Sequence, residues 1–142
     1  METVTPPWAY TLQLPHDPRA PGIARITLRA VLDAHEMSEL LDAAELLASE
    51  LVTNAHRHSQ GTYTLRLRPM APERLRVSVW DTNPEIPAPF RHWHAPRPVP
   101  DTDESGRGLF LVQHCADRWG GYQLGDGMGG YPGKLLWAEC AT

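Results

Sequence analysis

The alternation of apolar and polar residues divides the chain into strands and helices. A period of two residues predicts five strands, at Trp8–Leu14, Thr62–Arg68, Arg74–Trp80, Trp119–Leu124 and Lys134–Cys140. A glycine-rich turn separates the last two strands. In the second and third strands, leucines and valines occupy one face, and the other face carries four arginines, Arg66, Arg68, Arg74 and Arg76. We therefore expect a sheet with one covered face and one solvated face.

Helical spacing predicts three helices, at Ala20–Ala34, Ser38–His58 and Arg107–Arg118. The second has the clearest apolar stripe, and Ser38 is in position to cap its start. Between Thr82 and Ser105 no period is visible and six prolines occur, which is typical of a functional or mobile loop. These elements predict an α/β (α+β) two-layer sandwich, with a mixed, mainly antiparallel sheet and helices on one face.

Composition narrows the class of protein. The 142 residues fit one domain, and a hydrophobic content of 42% excludes a disordered chain. No apolar run approaches the ~18 residues of a membrane span, and the start lacks a signal-peptide pattern. The two cysteines suit a reducing compartment, so we expect a cytoplasmic protein that does not act at membranes. A net charge of −4 disfavours direct nucleic-acid binding.

Glu50 and Asn54 are four residues apart and share one face of the second predicted helix. Asn54 falls inside the apolar stripe and Glu50 lies at its edge. A buried polar pair needs partners, because burial without them is costly. Two interpretations are open. In the first, Glu50 is solvated and Asn54 caps a neighbouring loop. In the second, the two residues form a site for a hard metal such as Mg²⁺, which prefers carboxylate and amide oxygens.

Two further motifs carry candidate chemistry. Gly106-Arg107-Gly108 opens the third predicted helix, where free N–H groups and the helix dipole favour a phosphate. The spacing matches neither a P-loop nor a dinucleotide-binding fingerprint. Asp81 ends the third strand and could accept a hydrogen bond from an adenine amino group. The alternative is that Asp81 only forms the turn into Thr82-Asn83-Pro84.

In this order, the motifs resemble those of the GHKL (Bergerat-fold) ATPases, and most closely those of bacterial anti-sigma-factor serine/threonine kinases. The likeness runs from about Trp8 to Glu139. It comprises an N-box at Glu50–Ala55, a first glycine box at Val79–Asp81 with Pro84 and Pro87, a second at Gly106–Leu109 with Ala116–Gly120, and a closing strand at Gly133-Lys134 with Trp137–Glu139. Thr82, Asn83 and Pro84 stand where the family usually has glycines.

The resemblance implies a role for each matching residue. Asn54 would hold Mg²⁺, Glu50 would be the general base, and Asp81 would bind adenine. Residues 83–105 would form an ATP lid. In the closing strand the family usually has a hydroxyl residue near the base, and here that position is Leu135. Backbone contacts to the phosphates would come from Gly106, Arg107, Gly108 and Leu109.

The function implied by the resemblance is that of an ATP-dependent protein kinase that also acts as an anti-sigma factor. Its cofactors would be ATP and Mg²⁺. Its partners would be a sigma factor and an anti-sigma-factor antagonist that is phosphorylated on Ser or Thr, and a homodimer is compatible with it. The alternative is a nucleotide-gated binding module without kinase activity. We disfavour a histidine-kinase catalytic domain, because no dimerisation helix with a phosphorylatable His precedes the motifs.

Histidines and arginines outside these motifs leave two interpretations each. The histidines are either surface residues or part of a transition-metal site. They are His56, His58 and the two in the run His92-Trp93-His94. Their scattered spacing, without companion Cys or Asp residues, favours surface residues. The four strand arginines form a solvated face or a docking surface for an acidic partner.

Overall fold

The computed structural model describes residues 7–91, 115–124 and 132–141. They form five strands and two long helices. The strands are β1 (Tyr10–Leu14), β2 (Tyr63–Ala71), β3 (Arg74–Asp81), β4 (Arg118–Leu124) and β5 (Gly133–Ala141). The helices are α1 (Ala20–Ala34), α2 (Leu41–His58), which follows a 3₁₀ turn at Ser38–Leu40, and the single turn α3 (Ala88–Arg91).

The five strands form one sheet in the order β1-β2-β3-β5-β4, and every described pairing is antiparallel. Helix α2 packs over the central strands, and α1 lies beside α2 and against β1. The predicted two-layer α+β sandwich is therefore confirmed, with a sheet that is antiparallel throughout its described part. Within the described ranges, no helix is both long and apolar enough to cross a membrane.

The core forms where the apolar stripes of both helices meet the apolar face of β2 and β3. Removing these side chains from water stabilises the fold by roughly 1.5–3 kcal/mol each. The largest aliphatic members are Leu28, Leu32, Leu47, Leu51, Leu65, Leu67 and Leu75, all fully buried. The periodicity of the sequence predicted the correct inward face for α2, β2 and β3. For α1, the apolar side expected from Ile23, Thr27, Ala30, Val31 and Ala34 was wrong. Val31 is the one of these that is buried, and the face toward the core is completed by Ala20, Ala24, Leu28 and Leu32.

Three local predictions need correction. Ser38 does not cap α2, because the helix starts through a 3₁₀ turn and its N-cap Leu40 makes no side-chain hydrogen bond. The third predicted helix extends too far, because Arg118 already belongs to β4. The proline-rich segment is not all loop, since α3 buries Phe90 to 1% exposure.

The sheet face opposite the helices carries the arginines, as predicted, but two of them are bound within the protein. Arg76 donates to Glu139 through Nε at 2.7 Å, and its guanidinium lies 4.1 Å from the centroid of the Trp137 ring. Arg74 donates to the other oxygen of Glu139 at 3.3 Å and also pairs with Asp117. These contacts cover the Glu139 carboxylate, which is only 1% exposed. Part of the arginine face is thus an internal charge network, which weakens its interpretation as a docking surface.

Candidate functional site

A cavity of about 190 Å³ lies where the C-terminal end of α2 meets the end of β3 and the start of β5. These three elements are brought together because β5 pairs with β3, aligning Lys134 with Asp81. The described residues that line the cavity are Asn54, His58, Asn83, Glu85, Pro87 and Lys134. The sequence motifs of the second helix, the third strand and the closing strand therefore converge on one place.

Asn54 lines this cavity and carries a buried side-chain oxygen that is unpaired among the described residues. Its side chain is only 8% exposed, and its Oδ1 atom has no hydrogen-bond partner among the described residues. A buried carbonyl oxygen without a partner costs about 1–3 kcal/mol, so it is rarely retained without a ligand. An amide oxygen is a hard donor that suits Mg²⁺. The donor chemistry and the missing partner both fit the predicted magnesium ligand.

Glu50 lies one helical turn before Asn54 and is half-buried. Burial raises the pKa of its carboxyl above the ordinary value of 4.5, and the positive charge of Arg57 acts in the opposite direction. A carboxylate with a raised pKa is a stronger proton acceptor than one in water, provided that it remains ionised. Glu50 is not among the described residues that line the cavity. Its half-buried environment is compatible with the predicted general base.

Asp81 is at the end of β3 and is fully buried. Lys134, equally buried, approaches both of its carboxylate oxygens at 2.9 Å. The backbone N–H of Asn83 donates to Oδ1 at 2.8 Å. Burial raises the pKa of Asp81 above its ordinary value, while the contacts from Lys134 and Asn83 act in the opposite direction. Asp81 itself does not line the cavity and lies behind Lys134 and Asn83, which do.

The turn after Asp81 is formed by hydrogen bonds from backbone N–H groups to side chains, and it does not need the glycines that the family usually has there. Asp81 forms the side-chain-to-backbone turn that its local sequence allowed as an alternative. Asn83 repeats the pattern with Glu85, whose N–H it accepts at 3.0 Å, and its Nδ2 donates to the carbonyl of His58 at 2.7 Å. In the described part of the chain, Glu36 is the one residue other than glycine with a positive φ, so this turn does not require glycine.

Leu135 lies on the other side of the sheet from the cavity. Alternation along β5 directs Lys134 and Leu136 toward the helix layer, where both are buried, and places Leu135 on the open face between Trp80 and Tyr122. Lys134, not Leu135, therefore reaches the site. The remaining predicted phosphate contacts, Gly106, Arg107, Gly108 and Leu109, lie outside the described residues, as does most of the predicted lid.

Two residues that line the cavity, His58 and Lys134, were not predicted to belong to the nucleotide site. The lining residues Asn83, Glu85 and Pro87 lie in the segment predicted as the lid. A signal existed for Lys134, because Leu136, Ala138 and Cys140 mark the inward register of its strand and Lys134 shares that register. Among the described residues, no group of three or more His, Cys, Asp or Glu side chains could hold a metal ion, so His56 and His58 do not complete a transition-metal cluster there. His92 and His94 lie outside the described ranges.

The fold, a two-layer α+β sandwich, is that of the GHKL-type ATPase domains. The model of one such family, described as a histidine kinase-like ATPase domain, matches residues 14–129, and the chain therefore belongs to that family. An uncharacterized protein of Streptomyces coelicolor is 41% identical over 80 residues, which cover 55% of this chain and 71% of that protein. Domains of this family bind ATP, typically with Mg²⁺.

Proposed function

We propose that the chain is an ATP-dependent protein serine/threonine kinase of the anti-sigma-factor type, with Asn54 as magnesium ligand and Glu50 as general base. The observation that carries the proposal is the unpaired Oδ1 of Asn54 at the cavity, one turn from a half-buried carboxylate. The sequence resemblance supports the kinase class and the partners, a sigma factor and its antagonist. The two cysteines suit a reducing compartment, and this supports a cytoplasmic location.

Phosphoryl transfer requires positioning and charge stabilisation more than covalent chemistry from the protein. Bound ATP would supply the phosphoryl group, and Mg²⁺ held by Asn54 would offset the charge of its phosphates. Glu50 would accept the proton of the attacking Ser or Thr hydroxyl as the new O–P bond forms and the bond between the γ-phosphorus and the β–γ bridging oxygen breaks, which releases ADP. The proton resides on Glu50 until solvent removes it. Asp81 would accept a hydrogen bond from the adenine amino group.

The test is phosphate transfer from labelled ATP to candidate antagonists, including proteins co-purified from the native cell. Glu50→Gln removes the proton acceptor with little change in shape, so it should keep ATP binding and lose roughly 100- to 10,000-fold in transfer rate. The matched control is Glu45→Gln on the same helix, where the carboxylate pairs with Arg29 at the surface. This control should transfer at the wild-type rate.

Two outcomes would contradict the proposal in different ways. Transfer by Glu50→Gln at the wild-type rate would remove Glu50 from the mechanism. If the wild type is inert toward every antagonist while ATP still changes its binding to a sigma factor, the chain is a nucleotide-gated binding module.

A further inference from the structure

A second cavity, of about 650 Å³, lies at the end of the sheet opposite the cavity that Asn54 lines. Its described lining comes from Pro7 and Trp8 before β1, from residues 34–37 at the end of α1, and from residues 69–72 where β2 turns toward β3. Its volume is within the range of roughly 300–1,000 Å³ that ligand sites occupy. The proposed kinase chemistry uses none of these residues.

An aromatic cluster holds Trp8 in place at the wall of this second cavity. The Trp8 ring stacks on the His35 ring with centroids 4.2 Å apart, and the Tyr10 hydroxyl shares a hydrogen bond of 2.8 Å with Nε2 of His35. The backbone of the wall is also restricted, because three of the lining residues are prolines: Pro7, Pro69 and Pro72. A wall fixed in advance lowers the entropy cost of binding.

The rim of the second cavity exposes apolar side chains to solvent. Met70 lines the cavity and is 38% exposed, and Tyr10, which contacts Trp8, is 43% exposed. Met70 lies where the pairing of β2 with β3 shifts register, and such bulges redirect side chains beside binding sites. An exposed apolar rim is typical of a surface that binds another protein, and methionine adapts to such partners.

Glu36 is unfavourable for the local fold at this place. Its φ of 57° lies in the left-handed region, which favours glycine. It also adds negative charge at the end of α1, where the helix dipole favours a cation and the last turn has no basic residue. The structure gives its carboxylate no hydrogen bond or ion pair within the described residues. Two locally unfavourable features at one cavity-lining residue indicate a functional role.

The lining defines the chemistry of the occupant. Glu36 is the one acidic or basic residue besides His35 among the described residues around the cavity. The site therefore combines a negative charge with an indole and apolar walls. An arginine side chain matches all three, because its planar fork fits a carboxylate, its plane stacks on an aromatic ring, and its stem packs along apolar surface.

We propose that the second cavity is a docking site for a partner protein, which inserts an arginine flanked by apolar residues against Trp8 and Glu36. This site goes beyond the proposed kinase function, because it needs neither a nucleotide nor the general base. A partner held there lies at the end of the sheet away from Asn54 and leaves the nucleotide cavity open.

The first experiment follows peptide binding by NMR in the absence of nucleotide, so its result does not depend on the proposed kinase function. The five tryptophans give five indole N–H resonances, and Trp8→Phe identifies that of Trp8. The probe is a capped peptide, Ala-Leu-Arg-Leu-Ala, and its counterpart has glutamine in place of arginine. The arginine peptide should shift the Trp8 resonance and bind about three- to thirtyfold more tightly than the glutamine peptide.

A matched pair of variants tests the role of the charge. Glu36→Gln keeps the shape of the side chain and should bind both peptides equally. Glu39→Gln makes the same change three residues further on, at an exposed position that does not line the cavity, and should keep the wild-type preference for arginine. Equal binding of both peptides by the wild type, or a preference for arginine that survives Glu36→Gln, would overturn the inference.

Two further results would replace the partner protein by another occupant. Free argininamide that binds as tightly as the peptide would show a site for a small molecule. A wild type that self-associates in sedimentation, while Glu36→Gln remains monomeric, would place a second copy of the chain in the cavity. Either result overturns the proposed partner.

The second experiment separates binding from folding at Glu36. Because glycine suits the left-handed backbone, Glu36→Gly should keep or raise the Tm while it loses the preference for the arginine peptide. If Glu36→Gly lowers the Tm and keeps that preference, the glutamate serves the fold and the docking site is refuted.

Discussion

Replacing Asn54 by leucine should make the metal-free protein more stable while abolishing its Mg²⁺-dependent nucleotide binding. The side chain is 8% exposed and its Oδ1 has no partner among the described residues, a condition that costs about 1–3 kcal/mol. Leucine has the same branching and no polar atom, and the adjoining cavity leaves room for its extra volume. We expect a gain of about 1–2 kcal/mol in the free energy of unfolding, or roughly 3–6 °C in Tm.

The assay is thermal unfolding of wild type and variant, each with and without Mg-ATP. In the wild type, ligand at about 100 times its Kd should add about 2.7 kcal/mol of stability, and Asn54→Leu should show little of this gain. Asn54→Asp is the matched control. It keeps an oxygen ligand but buries a charge, so it should be destabilised without metal and recover with Mg²⁺. If Asn54→Leu is less stable than wild type and still responds fully to Mg-ATP, the amide is structural and the reasoning fails.

Two further predictions concern the general base and the sheet. Because burial raises the pKa of Glu50 and only the ionised form accepts a proton, the transfer rate should fall as pH decreases through a midpoint above 4.5, and kinetics of Glu50→Gln should lack this limb. At Gly120 an added Cβ would lie 2.9 Å from the Trp137 ring, so Gly120→Ala should cost about 1–3 kcal/mol in urea unfolding. Gly61→Ala, whose added Cβ would meet only Thr82 at 3.6 Å, is the control and should show no such loss.

The secondary structure was largely predictable because burial on one face imposes a period that the sequence records. Helix α1 has the predicted bounds, Ala20 to Ala34, and α2 ends at His58 as expected. The start of α2 was not predictable in detail. A serine near a helix start satisfies the N-cap pattern, but backbone geometry decides between a capped start and a 3₁₀ turn, and here the turn is formed.

The site was predictable only in part, because its assembly depends on strand order. Glu50 and Asn54 are neighbours on one helix, so their spacing shows that they share a face. The contact between Asp81 and Lys134 joins residues 53 positions apart and exists because β5 pairs with β3. No local pattern records that pairing. The orientation of Leu135 was predictable, since the alternation of β5 directs it to the open face.

The order of the strands in the sheet has a consequence for where the chain can accept inserted residues. Strand β5 lies between β3 and β4 and holds both of them, so the chain that leaves at Asp81 and returns at Arg118 connects strands that are not neighbours. Each end of that connection is anchored independently by β5. Doubling the length of such a connection costs only about 0.6 kcal/mol in closure entropy. Insertions there, whether by evolution or by an engineer adding a reporter, should leave the five-stranded sheet intact.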